Sequence, residues 1–493
     1  VARSPPGAVI GQVWIREFKG GLDTRRLPES TPGGALIFAQ DCHITQGGEI
    51  EQRAVFELAY TAPPGECVGL AADALGLIVF GHAASGPADL PSYIRYGRRQ
   101  HPLGLQMRRV PSWTLFGDTI AVVGAFGPTP ATADRYLFFG TSRVTDSAAP
   151  PNVDADLLPF AIETHAKKLF AGAGTHLFFS AVLEGLDWST TADGAGFIDM
   201  AFEIGSGANI RALAPYEDLL AVFFERAVMT WSLDVDPDAS APVQTLKGVG
   251  TFSSRSVLPY KGGDVLFYDP TGIRSLRARD SSRSAYTVDI GSAIDTLTHA
   301  AYAACPADRL EMASAVIEPK TGHIWVAIED TIFVLSQHDV TKVTAWTIYK
   351  PGFIVDYMVV YGDRVWLRSG EDFYVYGSIS GPYQYSDDVE AEAWLPYLDA
   401  GQPAQVKHLQ GVDVACRGAW EVRIGYDPEN LGTTDLLARV GGTTFGHPRI
   451  PVDQGEGTHM SLRFRSLAAA SSEAPAIISS AVIHHDLDDQ VDS

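Results

Sequence analysis

Residue types that do chemistry are present in this 493-residue chain, but their spacing rarely brings them together. The segment LDVDPDAS sets Asp234, Asp236 and Asp238 at alternate positions, a spacing from which carboxylates can converge on a hard cation. Pro237 interrupts it, and the glycine and closing glutamate of an EF-hand loop are missing, so a solvated acidic loop is expected. The run AGAGTHL offers Gly172 and Gly174 as a phosphate cradle, yet it lacks the third glycine and a following helix and reads as a tight hairpin. In TTADGAGF, Gly194 follows Asp193 directly and Ala195 stands where an aspartate-box turn needs glycine, so that match fails. His484, His485 and Asp486 could hold a metal adventitiously, and a frayed tail is the plainer expectation. Trp188, Trp231, Trp325, Trp346 and Trp366 recur at strand ends, where sheets need large packing residues and where an aromatic ligand cage is the alternative. No G-x-x-x-x-G-K-[ST], G-x-S-x-G or H-E-x-x-H motif occurs. Glycoside hydrolysis needs two convergent carboxylates, and spacing singles out no pair among 59 acids. The expectation is no catalytic residue, no metal site, no cofactor and no enzyme activity.

The elements that carry these residues are short strands. Between about residue 110 and residue 380, turn-bounded apolar runs repeat: FGDTIAVVG, HAKKLFAGAGTHLFFS, YEDLLAVFFERAVMTWSL, KGGDVLFYDPTGIRSL, KTGHIWVAIEDTIFVL and YGDRVWLRSGEDFYVY. Their turn residues Asp118, Lys168, Asp218, Asp264, Gly322 and Asp363 are separated by steps of 50, 50, 46, 58 and 41. A degenerate repeat of roughly 40–50 residues made of four short strands is what a β-propeller blade demands. The spacing predicts an all-β, irregular β-propeller of about six blades over residues 61–385. Blades of this kind bury their faces against one another and none is stable alone.

Both ends differ. Residues 1–60 carry Gly-Gly and Pro-Gly-Gly breaks that forbid a long helix and suit an extended N-terminal strap with one strand pair around ITQGGEIEQ. Residues 386–493 alternate apolar and polar positions in AEAWLPYLDAGQPAQVKHLQGVDVACRGAWEVRIGYDP and again from GTHMSLRFRSL, which predicts a separate C-terminal β-sandwich-like platform domain.

Composition bounds the partners. The net charge of −22 lacks the basic density that phosphate-gripping proteins need, while an acidic wall repels nucleic acid sliding past it. Cys42, Cys67, Cys305 and Cys416 are scattered without a C-x-x-C pair, so zinc knuckles are not expected and reduced, buried thiols are. No apolar run approaches the roughly 20 residues that span a bilayer. The chain opens on VARSPPGAVI, without a basic-then-apolar leader, and synthesis in a host cytoplasm with loss of an initiator Met is the expected origin.

The run FKGGLDTRRLPESTPGGALIFAQDCHITQGGEIEQR resembles the start of tail nozzle and tail-hub proteins of short-tailed bacteriophages, of the tail tubular protein B type. The matching places are Gly20, Gly21, Pro28, Gly48, Ile50 and Arg53, with Ala54 departing from the small turn residue of that pattern. The resemblance runs on through WTLFGDTIAVVG and HAKKLFAGAGTHLFFSAVLEGLDWS. It continues through GTFSSRSVLPYKGGDVLFYDPTGIRSL, where Ser254, Arg255, Ser256, Val257, Asp264, Val265, Phe267, Gly272 and Ile273 match an S-x-R-S-V…G-D-V-x-F-x-x-x-x-G-I element. KHLQGVDVACRGAWEVRI resembles the strand pair that follows the family's propeller.

The resemblance makes Asp187 a turn residue and Trp188 a packing residue at a blade edge after Ser180, not catalysts. It implies a virion structural protein: a homo-oligomeric, six-fold tail nozzle ring below portal and adaptor protein, with tail fibres or spikes as possible further partners. Such a ring extends and gates the channel for genome retention and ejection, and DNA passes its lumen without sequence-specific binding. Two rivals remain, a propeller glycosidase or lyase acting on surface polysaccharide and a non-catalytic propeller binding module.

Overall fold

Hydrophobic runs of four to eight residues, bounded by glycine and aspartate turns, can satisfy their backbone groups only by pairing, and here they pair with their nearest neighbours. The computed structural model describes residues 11–62, 66–82, 93–96, 99–102, 107–126, 135–140, 144–147, 159–205, 208–234, 239–277, 289–445, 450–452 and 455–487. Seven antiparallel meander sheets follow one another around an axis, each beginning with a strand at the axis and running outward. Their inner strands are Glu66–Ala72, Met107–Phe116, Pro159–His165, Ile210–Tyr216, Leu258–Tyr260, Ser314–Ile317 and Tyr357–Tyr361. The last inner strand packs beside the first, which closes the ring. The chain is an all-β propeller of seven blades, not about six.

The additional blade is the first, residues 66–102, whose opening turn at Asp73–Gly76 lies 45 residues before Asp118 and continues the same step. The interval of 58 between Asp264 and Gly322 is long because the helix Asp295–Ala304 and the short turn Ala307–Leu310 are inserted between the fifth and sixth blades. That helix lies against Gly272–Ser275, the third and last described strand of the fifth blade.

Each seam between blades has its own apolar filling. Val68, Ile78 and Phe80 meet Val110 and Val122 between the first two blades, and Tyr357 and Phe373 meet Leu70 and Val79 where the ring closes. The strand Phe56–Thr61 pairs with Asp372–Tyr376 and supplies the outermost strand of the seventh blade. Ring closure therefore joins segments more than 300 residues apart, and the N-terminal region is part of the propeller itself.

The remaining N-terminal strands correct the expected split into a strap and a separate C-terminal domain. One sheet of a sandwich contains Lys407–Arg417 and Ile477–Leu487 together with Gly11–Ile15, Ile50–Gln52 and Cys42–Ile44. The facing sheet orders Phe38–Gln40, Glu392–Trp394, Ser461–Ala468, Ala419–Gly425 and Asp435–Val440. The physical reason is core filling: Phe18, Leu36, Ile44 and Ile50 are fully buried against Val412, Trp420, Phe464 and Ile483, so neither terminal segment covers its own apolar face. The predicted strand pair around ITQGGEIEQ is the hairpin of Cys42–Ile44 with Ile50–Gln52, its loop turned by Gly48 at φ +86°.

Phe38–Gln40 also pairs in parallel with Val343–Tyr349, so this sheet runs without a break into the sixth blade. The seam between the fifth and sixth blades, with Leu266, Ile273, Ile324 and Val326, belongs to the same core as the sandwich.

Candidate functional site

In a ring of outward-running meanders, successive turns alternate between two faces. The first hairpin turn of every blade lies on one face. The second turn and the link to the next inner strand lie on the other, and these longer segments make it the face that can be elaborated for recognition. Five of the six aligned turn residues, Asp118, Lys168, Asp218, Gly322 and Asp363, lie in or beside tight first turns, and Asp264 opens the second strand of the fifth blade. The loop-bearing face carries the segment 200–205, the link 248–257 and the helix Asp295–Ala304, whose His299 reaches the Pro270 carbonyl of the fifth blade's second turn.

The link 248–257 reaches across the propeller axis. Ser253 Oγ donates to the carbonyls of Ala313 (2.5 Å) and Glu311 (2.9 Å), and Ser254 Oγ donates to that of Pro111 (2.5 Å). Arg255 donates to the carbonyls of Val110 (2.7 Å) and Pro111 (3.1 Å), and its guanidinium lies 3.7 Å from the Tyr357 ring centre. One side chain thus ties the link to the second blade and stacks on the seventh. No carboxylate pairs with Arg255 among the described residues; burial pulls its guanidinium down to about 10, with the neighbouring Arg368 adding to the effect. Around this centre, Arg309 bridges Glu329 and Asp356 (2.9 Å to the latter), and Arg368 contacts Asp356 at 3.5 Å. Arg211 joins Glu225 of its own fourth blade to Glu311 at the end of the insertion. On the third blade's inner strand, burial pushes the Glu163 carboxyl up to about 7 although Thr114 and the Thr164 amide donate to it.

The structure places the sequence candidates apart. The Thr190 side chain first, then the amides of Ser189 (2.9 Å) and Thr190 (3.0 Å) and the Ser189 hydroxyl (3.1 Å), donate to Asp187 and pull its carboxyl down to about 2. Trp188 is buried with Leu169 and Phe178 in the seam between the second and third blades, so the Asp-Trp-Ser turn is architecture. A Cβ on Gly172 would stand 2.4 Å from Ile210, and Gly174 turns the hairpin at φ +58°: close packing, not a phosphate cradle. Asp193 ends a short 3-10 turn and Gly194 follows at φ +81°, its carbonyl accepting from Lys168 Nζ at 2.8 Å. Asp234 is described, whereas Asp236 and Asp238 lie outside the described residues.

His484, His485 and Asp486 are not in a frayed tail. They belong to the strand Ile477–Leu487, held by pairing to Lys407–Arg417 and by His484 Nε2 against Asp413 at 2.9 Å. Among the described residues no three histidine, cysteine or carboxylate side chains converge as metal donors. The five tryptophans fill five different apolar clusters and form no cage. All four cysteines are buried thiols, and no described helix is long and apolar enough to cross a membrane.

Of the nozzle-like positions, Arg53 is buried, ion-paired to Asp41 at 2.6 Å and bonded to the Ala54 and Lys350 carbonyls, which clamps the hairpin to the sixth blade. Gly21, at φ +56°, lets the backbone approach Ala345 to a distance no side chain would allow. Sequence reasoning missed Lys407, fully buried, whose ammonium donates to the carbonyls of Gln402, Gln405 and Thr458 at 2.6–2.9 Å. A lysine heading an alternating apolar strand was its only signal.

No protein-family model matches the sequence, and no curated protein matches it. Among solved structures, the chain is similar to the Neurospora crassa Pan2 WD40 domain (TM-score 0.40, 10% identity, 69% of this chain and 99% of that one). It is also similar to virginiamycin B lyase from Staphylococcus aureus (TM-score 0.42, 10% identity, 65% and 98%) and to BamB from Moraxella catarrhalis (TM-score 0.36, 11% identity, 76% and 99%).

Proposed function

We propose that this chain is the subunit of a virion ring in the tail of a short-tailed bacteriophage. The ring is a nozzle of six copies below portal and adaptor that extends and gates the channel for genome retention and ejection. The observation that carries the reading is the way both ends of the chain interleave in one sandwich whose sheet continues into the sixth blade. A ring subunit has to hold a platform for its neighbours and a peripheral block in fixed relation, and a shared sheet and core do that without a hinge. The nozzle-like residues Gly21, Gly48 and Arg53 lie at this junction. The segment 251–257 occupies the propeller axis, so the channel of this reading runs along the ring axis, bounded by several subunits.

The charge of −22 suits such a wall: over about 8 Å at physiological salt it repels phosphates and prevents sticking. Gating is steric, with no bond made or broken. Quantitative mass spectrometry of purified particles tests the proposal through the copy number of this chain relative to portal protein. A ratio near one half is expected for six copies beneath twelve. Absence from the particle overturns the reading and leaves a free propeller binding module or a polysaccharide-cleaving propeller to be assayed.

A further inference from the structure

On the loop-bearing face of the fourth blade lies a depression of about 260 Å³. Its apolar lining is Ile204 and Ala208, half-buried in the link that enters the blade, over the buried Phe224 and Ala227 beside its second turn. Its rim is cationic: Arg226 and Lys247 are exposed, and neither makes a hydrogen bond or ion pair through its side chain among the described residues. Glu225 is the one acid in the lining, and it is turned to Arg211, whose Nε donates to it at 3.0 Å while the same guanidinium also holds Glu311. Two residues before Ile204, Phe202 stands on the short helix Ala201–Ile204 and is 98% exposed.

In a chain of net charge −22, two exposed cations without a carboxylate partner among the described residues set this rim apart. The exposed Phe202 on the same link leaves apolar area in water that association would cover. The volume falls below the roughly 300–1,000 Å³ of small-molecule clefts, and it suits one large side chain set in a wider contact.

We infer that this depression is a docking site for an acidic peptide segment of a partner protein. A single aromatic or aliphatic side chain sits on Ile204 and Ala208, and flanking carboxylates meet Arg226 and Lys247. The apolar anchor supplies most of the affinity and the two cations select for acidic flanks. The site stands on this geometry whether or not the chain is a ring subunit.

The test pans the full chain against a random dodecapeptide library. Enriched peptides are then synthesised with a fluorescein label and titrated by fluorescence anisotropy. The expected enriched sequences place Phe, Trp, Leu or Ile beside Asp or Glu, and their binding weakens as salt rises. The double variant Arg226→Glu, Lys247→Glu is expected to weaken them by about tenfold or more. Ala208→Trp, which fills the depression, removes binding. Both charge-reversed positions are exposed, and an unchanged thermal unfolding midpoint checks the fold, so the result holds even where Ala208→Trp does not fold. No enrichment, enrichment of peptides without acids, or affinity unmoved by charge reversal overturns the inference.

Discussion

Arg255 brings a full positive charge to the propeller axis without a carboxylate beside it, and such a charge persists only if dipoles replace its water. Carbonyls of the second blade and the face of Tyr357 do so here. Lys407 uses the same solution in the sandwich, with three carbonyls around its ammonium. Replacing Arg255 by methionine keeps the bulk but takes the donors from the Val110 and Pro111 carbonyls. We expect Arg255→Met to lower unfolding stability by about 2–4 kcal/mol in urea titration. Arg255→Lys is expected to recover little, because one ammonium cannot reproduce the planar fork and its stacking on a ring. A loss below about 0.5 kcal/mol would mean that the link 248–257 is held by Ser253 and Ser254 alone. Nothing near Arg255 in sequence announces this role. Its partners lie 144 and 145 residues away, so the SSRS pattern was visible while its function as a tie across the axis was not.

Between residue and domain, the seam joining the N-terminal hairpin to the sixth blade is set by histidines. His43 lies 3.3 Å from Glu51 and 3.0 Å from the Tyr349 hydroxyl, and its ring centre is 4.7 Å from that of the buried His323. His338 stands 6.1 Å further on, with Lys261 and Asp339 acting on it. Burial, then the neighbouring His43 and His338, hold His323 well below its ordinary value; burial also lowers His338. A histidine depressed in the folded state binds fewer protons there than in the unfolded chain. Its stabilising contribution is full above the unfolded value of 6.5 and is lost as pH falls below it. Each such proton is worth about 1.4 kcal/mol per pH unit. We expect stability to fall by about 1–2 kcal/mol more between pH 6.5 and 5 in the native chain than in His323→Phe, which keeps the ring contact without the proton. Parallel pH profiles for the two proteins would exclude the seam as the titrating element.

The same scale shows what the sequence makes legible. Tight first turns recur because each blade needs one, so the hairpin rhythm located blades two to seven. Asp73–Gly76 carries the same turn chemistry, with Asp73 accepting from the Leu75 and Gly76 amides, but it falls in a Gly- and Ala-rich stretch with weaker apolar contrast. The strand Phe56–Thr61 was unreadable as a closing strand because its partner lies at Asp372–Tyr376, and local pattern holds no record of such pairing.

At the scale of the whole molecule, a 493-residue chain ordinarily divides into domains that unfold separately. This fold works against that division. The sandwich core is continuous with the seam between blades five and six, the N-terminal strands serve both bodies, and the ring closes through Phe56–Thr61. Removing the sandwich uncovers one propeller seam, and an opened ring leaves blade faces that cannot stand in water. We therefore expect a single cooperative thermal transition, with calorimetric and van't Hoff enthalpies in agreement. Phe464→Ala removes a fully buried ring from the sandwich and should cost about 3–5 kcal/mol. Hydrogen exchange should then rise in Thr331–His338 of the sixth blade as well as in Ser461–Ala468. Two resolved transitions, with Phe464→Ala moving only one, would show a platform that melts independently and a junction able to act as a hinge. A single one makes sandwich and propeller one cooperative unit, because the core they share cannot melt in parts.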